Sequence, residues 1–228
     1  MSMIARIVCL ANSRKLQGRC VAGQIWDGSH FKKWIRPVSH YSKGELSVER
    51  LYADGQDPRL LDIVELSLDS PRPVGCHVED HFISSGQSWR KLGDAPFDQI
   101  AAGAEKAIGP LWINAGSTSE GTNDSIPEAT ASKLDSSLKL IRPRRLEMIA
   151  TSEGAHFGKP RKRVRGHFDF GSYHYVFSVT DTIIEAEFAS QSTGYSREID
   201  EPLLCISISE VFDTQKACYK LIAGVIEE

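Results

Sequence analysis

A basic segment followed directly by aromatic residues is the clearest candidate for chemistry in this sequence. Residues 142–165 hold eight basic and two acidic residues, a net charge of +6 in a chain whose formal net charge is −3. Basic side chains attract phosphates, and aromatic rings on a strand stack on bases. The pattern predicts that single-stranded nucleic acid is bound by Arg144, Arg145, Lys159, Arg161, Lys162, Arg163, Arg165, Tyr173 and Tyr175.

The same segment has a plainer interpretation, a solvated basic loop beside an ordinary aromatic core. On strand periodicity at least half of the aromatic residues in 168–177 must face inward. Phe168 and Phe170 share one phase, whereas Tyr173 and Tyr175 share the other. A bulge or tight turn is expected at the phase change, at Gly171. The sequence leaves both interpretations open.

A second polar group lies where two predicted strands meet. Arginine side chains bind phosphate or carboxylate bidentately, and Gly18 allows a backbone to approach a ligand closely. This favours a pocket for a small nucleotide or modified base, formed by Asn12, Lys15, Arg19, Arg36 and Arg142. In the alternative interpretation Arg36 and Arg142 are structural, and each pairs with a carboxylate such as Asp62 or Asp181.

Catalytic patterns are weak by comparison. His81 follows two carboxylates, and His167 precedes Asp169 by two positions, but neither matches a known nucleophile or metal motif. The sequence contains no P-loop and no Gly-x-Ser-x-Gly. We therefore expect a binding protein with no cofactor and no metal site rather than an enzyme. A hydrolase that uses His81 or His167 is the least supported class.

The elements that would position these residues are mainly strands. Runs of β-forming residues and turn signals predict five short strands in each half of the chain. In the first half they cover 4–11, 19–26, 31–38, 60–68 and, more weakly, 74–83. In the second half they lie in 138–151, around Phe168 and Phe170, and in 173–179, 203–209 and 217–226. Asp94 and Pro96 predict the start of one short helix, which Gly109-Pro110 would end.

Internal similarity suggests two related units. The tripeptide Ile-Arg-Pro occurs twice, after Trp34 and after Leu140. The segments around Cys9–Gly23 and Cys205–Gly224 are also similar, but the first precedes its Ile-Arg-Pro tripeptide and the second follows it. We therefore expect the two Ile-Arg-Pro segments in equivalent strands of two barrels related by a permutation. The predicted boundaries are 1–110 for the first barrel with its helix, 111–137 for a polar, partly ordered linker, and 138–228 for the second barrel.

Composition excludes several functional classes. With 41% hydrophobic and 25% charged residues the chain is typical of a soluble globular protein, and no run approaches the length of a membrane span. The five cysteines form no Cys-x-x-Cys pair, which favours a reducing cytoplasm and no metal site. Cys9, Cys20, Cys205 and Cys218 lie in apolar strands and are expected to be buried free thiols.

These motifs together resemble a prokaryotic family of dual OB-domain-containing proteins. The resemblance rests on residues 9–15, 18–23, 34–39, 60–64, 140–143 and 218–223, and it runs over nearly the whole chain. It implies two OB-type barrels, a fold that commonly binds single-stranded nucleic acid or oligosaccharide. We therefore expect a cytoplasmic protein whose partner is single-stranded nucleic acid or a nucleotide, with no membrane association. A protein-interaction adaptor is a further alternative.

Overall fold

The computed structural model describes residues 2–28, 31–40, 43–154, 158 and 160–228 of the chain. Strands dominate this part of the protein, and the chain divides into two compact units. The first unit contains residues 1–103 and 135–137, and the second contains 104–134 and 138–228. No helix among the described residues has the length and apolar character needed to cross a membrane.

The first unit is a closed barrel with an additional strand. Its strands are β1 (Met3–Lys15), β2 (Gly18–Trp26), β3 (Phe31–Val38), β4 (Asp62–Pro71), β5 (Asp80–Ile83) and β6 (Arg90–Asp94). They pair in the order β1-β2-β3-β5-β4, and β4 pairs back to β1. The contact between β3 and β5 is parallel. This is the five-stranded order of an OB barrel. The additional strand β6 pairs with residues 62–65, at the start of β4.

Alternation of side chains explains why these segments form the barrel. On β1 the inward residues include Ala5, Ile7 and Cys9, and on β4 Val64 and Leu66 face the same core. The predicted alternation over 60–68 is therefore confirmed. A 3₁₀ turn at Val48–Arg50 lies between β3 and β4, where the chain must cross from one edge of the sheet to the other.

The second unit repeats this strand order. Its elements are β7 (Ser125–Pro127), α2 (Glu128–Ala131), β8 (Leu138–Ile141), β9 (Arg145–Glu153), β10 (Arg161–Phe170), β11 (Tyr173–Val179), α3 (Thr182–Ala189), β12 (Ser196–Asp200), β13 (Leu203–Ile208) and β14 (Ala217–Ile226). The central order is β9-β10-β11-β14-β13, and β11 lies parallel to β14. Strand β12 pairs with β9, and β8 pairs with β13. The predicted mainly β, dual OB architecture is thus confirmed.

The two strand orders match without a permutation, so the expected permuted correspondence of the repeated segments is wrong. The first Ile-Arg-Pro lies in β3, the third strand of its barrel, whereas the second lies at the end of β8, outside the five-strand order. The cysteine hairpins are still alike in detail. Cys9 lies opposite Gly23 and Cys205 opposite Gly224, and in both hairpins a register shift begins at the cysteine. The shared sequence therefore reflects a similar hairpin geometry rather than an equivalent position.

The predicted linker belongs largely to the second unit. Leu111 is part of the core of that unit, and Ile126 is buried in β7, which pairs with β14. Only residues 135–137 of the predicted linker belong to the first unit, where Ser137 donates from both its backbone N–H and its hydroxyl to the carboxylate of Glu79. A Ser- and Gly-rich composition did not reveal this packing, since a few buried apolar residues are enough to fix the segment.

The helices also differ from the single one predicted. Helix α1 (Phe97–Ala102) ends at Gly103 rather than at Gly109, and Ile100 is its only buried residue. Helix α3 was not predicted, although its signals are present. The Asp181 carboxylate accepts hydrogen bonds from the backbone N–H groups of Ile183 and Ile184, and Ile184 and Phe188 pack inward four residues apart.

Gly23 is a position where the fold requires the absence of a side chain. A Cβ there would lie 2.1 Å from the carbonyl oxygen of Val8 on the neighbouring strand. We expect Gly23→Ala to lower the free energy of unfolding by roughly 3 kcal/mol, because backbone cannot move aside as a side chain can. Urea unfolding measures this. Gly116→Ala is the matched control, since its Cβ would lie 3.8 Å from the nearest atom, and equal destabilisation of both variants would contradict the explanation.

The cysteines are all free thiols, and they differ in accessibility. Cys9, Cys205 and Cys218 are buried as predicted, and so is Cys76, whereas Cys20 is half-buried. We expect one thiol of the native protein to react readily with a thiol reagent and the other four only after unfolding. Cys20→Ser should remove the early phase, which would identify it. An early phase that persists in Cys20→Ser would contradict the assigned burial.

Candidate nucleic-acid interface

The solvent face of β10 carries the basic residues that the sequence singled out. Side chains alternate along this strand, so Val164, Gly166 and Phe168 face the core while Arg163 and Arg165 lie on the other face. Arg161 and His167 continue that outward row. In the OB order β10 and β11 are the second and third strands, and residues 154–160 connect the first strand to the second. These are the parts of an OB barrel that bind oligonucleotides.

Much of the positive charge is compensated by carboxylates from other parts of the chain. Arg165 is only 11% exposed and contacts Glu153 through two hydrogen bonds of 2.7 and 2.8 Å, with Asp124 at 3.8 Å. Arg145 forms an ion pair with Glu198 of β12. The Arg165 guanidinium also lowers the pKa of Glu153 against the opposing effect of burial. Arg165 is therefore a structural cation rather than an available phosphate ligand.

The remaining basic residues differ in their availability. Arg144 and Arg161 are exposed, and among the described residues neither side chain has an ion-pair partner. Lys162 is exposed and its ammonium group donates to the carbonyl oxygens of Ala189 and Gln191, and no carboxylate among the described residues pairs with it. Arg163 is half-buried and makes further contacts of its own. Lys159 lies outside the described residues.

The two tyrosines predicted to stack on bases do not share one environment. Tyr175 has no exposed surface, and its ring packs against Phe168 and Phe177 in the core. Its hydroxyl accepts a hydrogen bond of 2.9 Å from the backbone N–H of Leu111. The predicted stacking role of Tyr175 is therefore wrong, because no base can reach the ring. Tyr173 is half-buried at the edge of the same core and keeps part of its surface exposed.

Lys220 on β14 is a buried titratable residue that sequence reasoning missed. It is only 1% exposed, and its ammonium group lies 5.5 Å from the ring centre of Tyr175 and 5.8 Å from that of Phe177. It donates to the Ile113 carbonyl at 2.8 Å and to the Asn114 side chain at 3.2 Å. Burial lowers the pKa of Lys220 to about 8, although Asp124 opposes the shift. An isolated lysine in an apolar strand gives no sequence signal for this arrangement.

The predicted small-nucleotide pocket is not assembled as expected. The amide of Asn12 donates to the Pro58 carbonyl at 2.8 Å, and the ammonium group of Lys15 donates to the Lys43 carbonyl at 2.8 Å. Arg19 lies beside Leu46, with which it exchanges two backbone hydrogen bonds. Gly18 is required there because a Cβ would lie 2.5 Å from the Leu46 carbonyl oxygen. Gly18 therefore allows the backbone of β2 to approach the backbone at Leu46 closely, and not a ligand.

Both arginines of the Ile-Arg-Pro segments pair with carboxylates, as the structural interpretation predicted. Arg36 is 3% exposed and its Nε donates to Asp80 at 2.6 Å. Burial opposes its charge, but Asp80, Cys20 and Glu79 outweigh burial and raise the pKa of Arg36. Arg142, in the second unit, pairs with Glu201 at 3.1 Å. The partners differ from the suggested Asp62 and Asp181.

The histidines considered for catalysis have ordinary environments. His81 is buried, and its Nδ1 lies 2.8 Å from the Glu79 carbonyl. Asp169 contacts His174 rather than His167, with Nδ1 and Oδ1 2.8 Å apart. Burial lowers the pKa of His167. Within the part of the chain that the structure describes, no group of three ligating side chains could hold a metal ion.

Fold and site together define a protein of two OB-type units, one of which presents a basic strand at the usual ligand-binding position of that fold. OB barrels in general bind nucleic acids or other ligands. The chain belongs to the family described as the dual OB-containing domain, whose model matches residues 5–225. A comparison with curated proteins finds no match.

Lys220 makes the stability of the second unit depend on pH. Between about pH 8 and 10.5 the unfolded chain binds a proton at Lys220 that the native protein has released, so stability rises with pH in this window. The rise relative to Lys220→Met is expected to be on the order of 1–3 kcal/mol. Denaturant unfolding at several pH values measures it. Parallel pH profiles for the two proteins would contradict the assignment.

Proposed function

We infer that this protein binds single-stranded nucleic acid on the second unit, with the strand running over the outward face of β10. One observation carries the inference. The most basic part of the chain, residues 159–165, falls on the connection and strand that OB barrels use for oligonucleotides. Arg161 and Lys162 are exposed there, and Arg144 lies exposed at the start of the neighbouring strand β9.

The compensation of charge limits what kind of binding is expected. Arg145 and Arg165 already have carboxylate partners, so few cations remain to neutralise phosphates. Each phosphate contact with a single strand contributes about 0.7 to the log–log dependence of affinity on salt. A small number of contacts therefore predicts a shallow salt dependence and moderate affinity. The half-buried ring of Tyr173 is the remaining candidate of the predicted pair for stacking on a base.

Replacing three residues of the basic strand tests the proposal. In Arg161→Gln/Lys162→Gln/Arg163→Gln we expect weaker binding of labelled single-stranded DNA and RNA. The slope of the salt dependence should fall by about 0.7 for each phosphate that is no longer neutralised. Fluorescence anisotropy at several salt concentrations measures both quantities. Unchanged affinity at low salt would end the nucleic-acid proposal.

A matched variant separates a local effect from one of net charge. Lys43, Lys106 and Lys133 are exposed, and none of them forms an ion pair within the described part of the chain. Replacing all three with Gln changes the net charge by the same amount at positions outside β9, β10 and the connection between them. We expect this variant to bind as the wild type does. Equal weakening of both variants would indicate attraction by net charge rather than a site.

A further inference from the structure

A pocket in the first unit is lined by none of the residues that the sequence singled out for binding. Its volume is about 420 Å³, within the range of small-molecule sites. The walls come from the segment 52–59, from the start of β4, and from Trp89, Arg90 and Lys91 at the start of β6. A bridge between Tyr52 and Trp89 joins the first of these walls to the third.

Asp62 fixes the shape of this pocket. Its carboxylate is almost fully buried and accepts hydrogen bonds from the Tyr52 hydroxyl at 2.7 Å and from the Arg59 backbone N–H at 2.9 Å. The ammonium group of Lys91 lies 2.6 Å from its other oxygen. Burial and the bond to Asp62 raise the pKa of Tyr52, so the hydroxyl remains a donor. The three walls are thus held together before any ligand arrives.

Most charged residues of the lining are already paired, and two are not. Arg90 pairs with Glu65, and Asp57 with Arg50. The guanidinium of Arg59 has no acceptor among the described residues. Asp54 accepts hydrogen bonds from Gln56 and has no cation beside it within the described ranges. The pocket therefore offers one available cation and one available carboxylate.

These groups match the parts of one class of ligand. A guanidinium binds a phosphate bidentately, and a carboxylate accepts hydrogen bonds from ribose hydroxyls. The half-buried ring of Tyr52 offers an aromatic surface on which a base can stack. We propose that this pocket binds a ribonucleoside monophosphate, with Arg59 on the phosphate, Asp54 on the ribose and Tyr52 beside the base. The site goes beyond the binding of a strand on β10 and uses none of its residues.

Isothermal titration with AMP, GMP, CMP and UMP tests the proposal on the full chain. We expect saturable binding of at least one of them with a dissociation constant below about 1 mM. Arg59→Gln should weaken it about 10-fold or more, because the variant cannot form the charge-assisted hydrogen bonds to the phosphate. Arg59 and Asp54, the two residues to be changed, are both exposed, so we expect the variants to fold. A thermal melt of each variant checks that it is folded.

Ligand variants identify which group each residue contacts. Arg59→Gln should leave the affinity for the nucleoside without phosphate unchanged, and Asp54→Asn should weaken the ribonucleotide but not its 2′,3′-dideoxy form. Lys33→Gln, an exposed charge elsewhere on the first unit, is the control and should bind normally.

The absence of saturable binding at millimolar concentration would overturn the proposal, and so would wild-type affinity in Arg59→Gln. Binding of inorganic phosphate or an amino acid as tight as that of the nucleotides would also overturn the assigned ligand class. The triple β10 variant should bind mononucleotides as the wild type does, so failure at one site is distinguishable from failure at the other.

Discussion

The first barrel depends on one long strand that pairs along both of its edges. Residues 7–15 of β1 pair with β2, and residues 3–8 pair with β4. The register shift after Cys9 bends β1 just beyond residue 8, where its pairing with β4 ends. Gly23 faces this point and lets the Val8 carbonyl approach. Strand β1 is paired along both edges at residues 7 and 8, and this overlap closes the barrel. The crossover between β3 and β4 supplies one wall of the pocket.

The second unit meets a different constraint, because a segment outside its barrel completes its core. The phenol of Tyr175 and the ammonium group of Lys220 bind the backbone of residues 111 and 113. A buried lysine is costly unless its hydrogen bonds are satisfied. The carbonyl oxygen of Ile113 and the side-chain oxygen of Asn114 accept hydrogen bonds from Lys220, and two aromatic rings lie beside its ammonium group. These contacts offset the cost of burial. Tyr175 therefore belongs to the packing of this segment, and the aromatic run that suggested base stacking is largely the core of the unit.

The sequence was most informative where structure is periodic and local. Alternation identified β4, runs of β-forming residues located most of the other barrel strands, and the family motifs indicated two OB units. It was least informative where distant residues meet. Glu198, Glu201 and Asp124 neutralise arginines far from them in the chain, and no spacing rule shows this. The pocket around Asp62 was missed for the same reason, since its walls come from segments about 30 residues apart.

Charge counted along a chain and charge presented on a surface are therefore different quantities in this protein. The basic segment has a net charge of +6 in sequence. In the structure some of its arginines form ion pairs, such as Arg145 and Arg165, whereas Arg144 and Arg161 are exposed. Two residues that lie directly opposite each other on antiparallel strands face the same side of the sheet. Glu153 lies opposite Arg161 in this way, and Glu147 lies opposite His167. A face built in this way holds its arginines in fixed positions through their carboxylate neighbours. Under the proposed function such a face favours contact with a strand at a few defined phosphates, because few exposed cations described in the segment 142–165 lack a carboxylate partner, namely Arg144, Arg161 and Lys162.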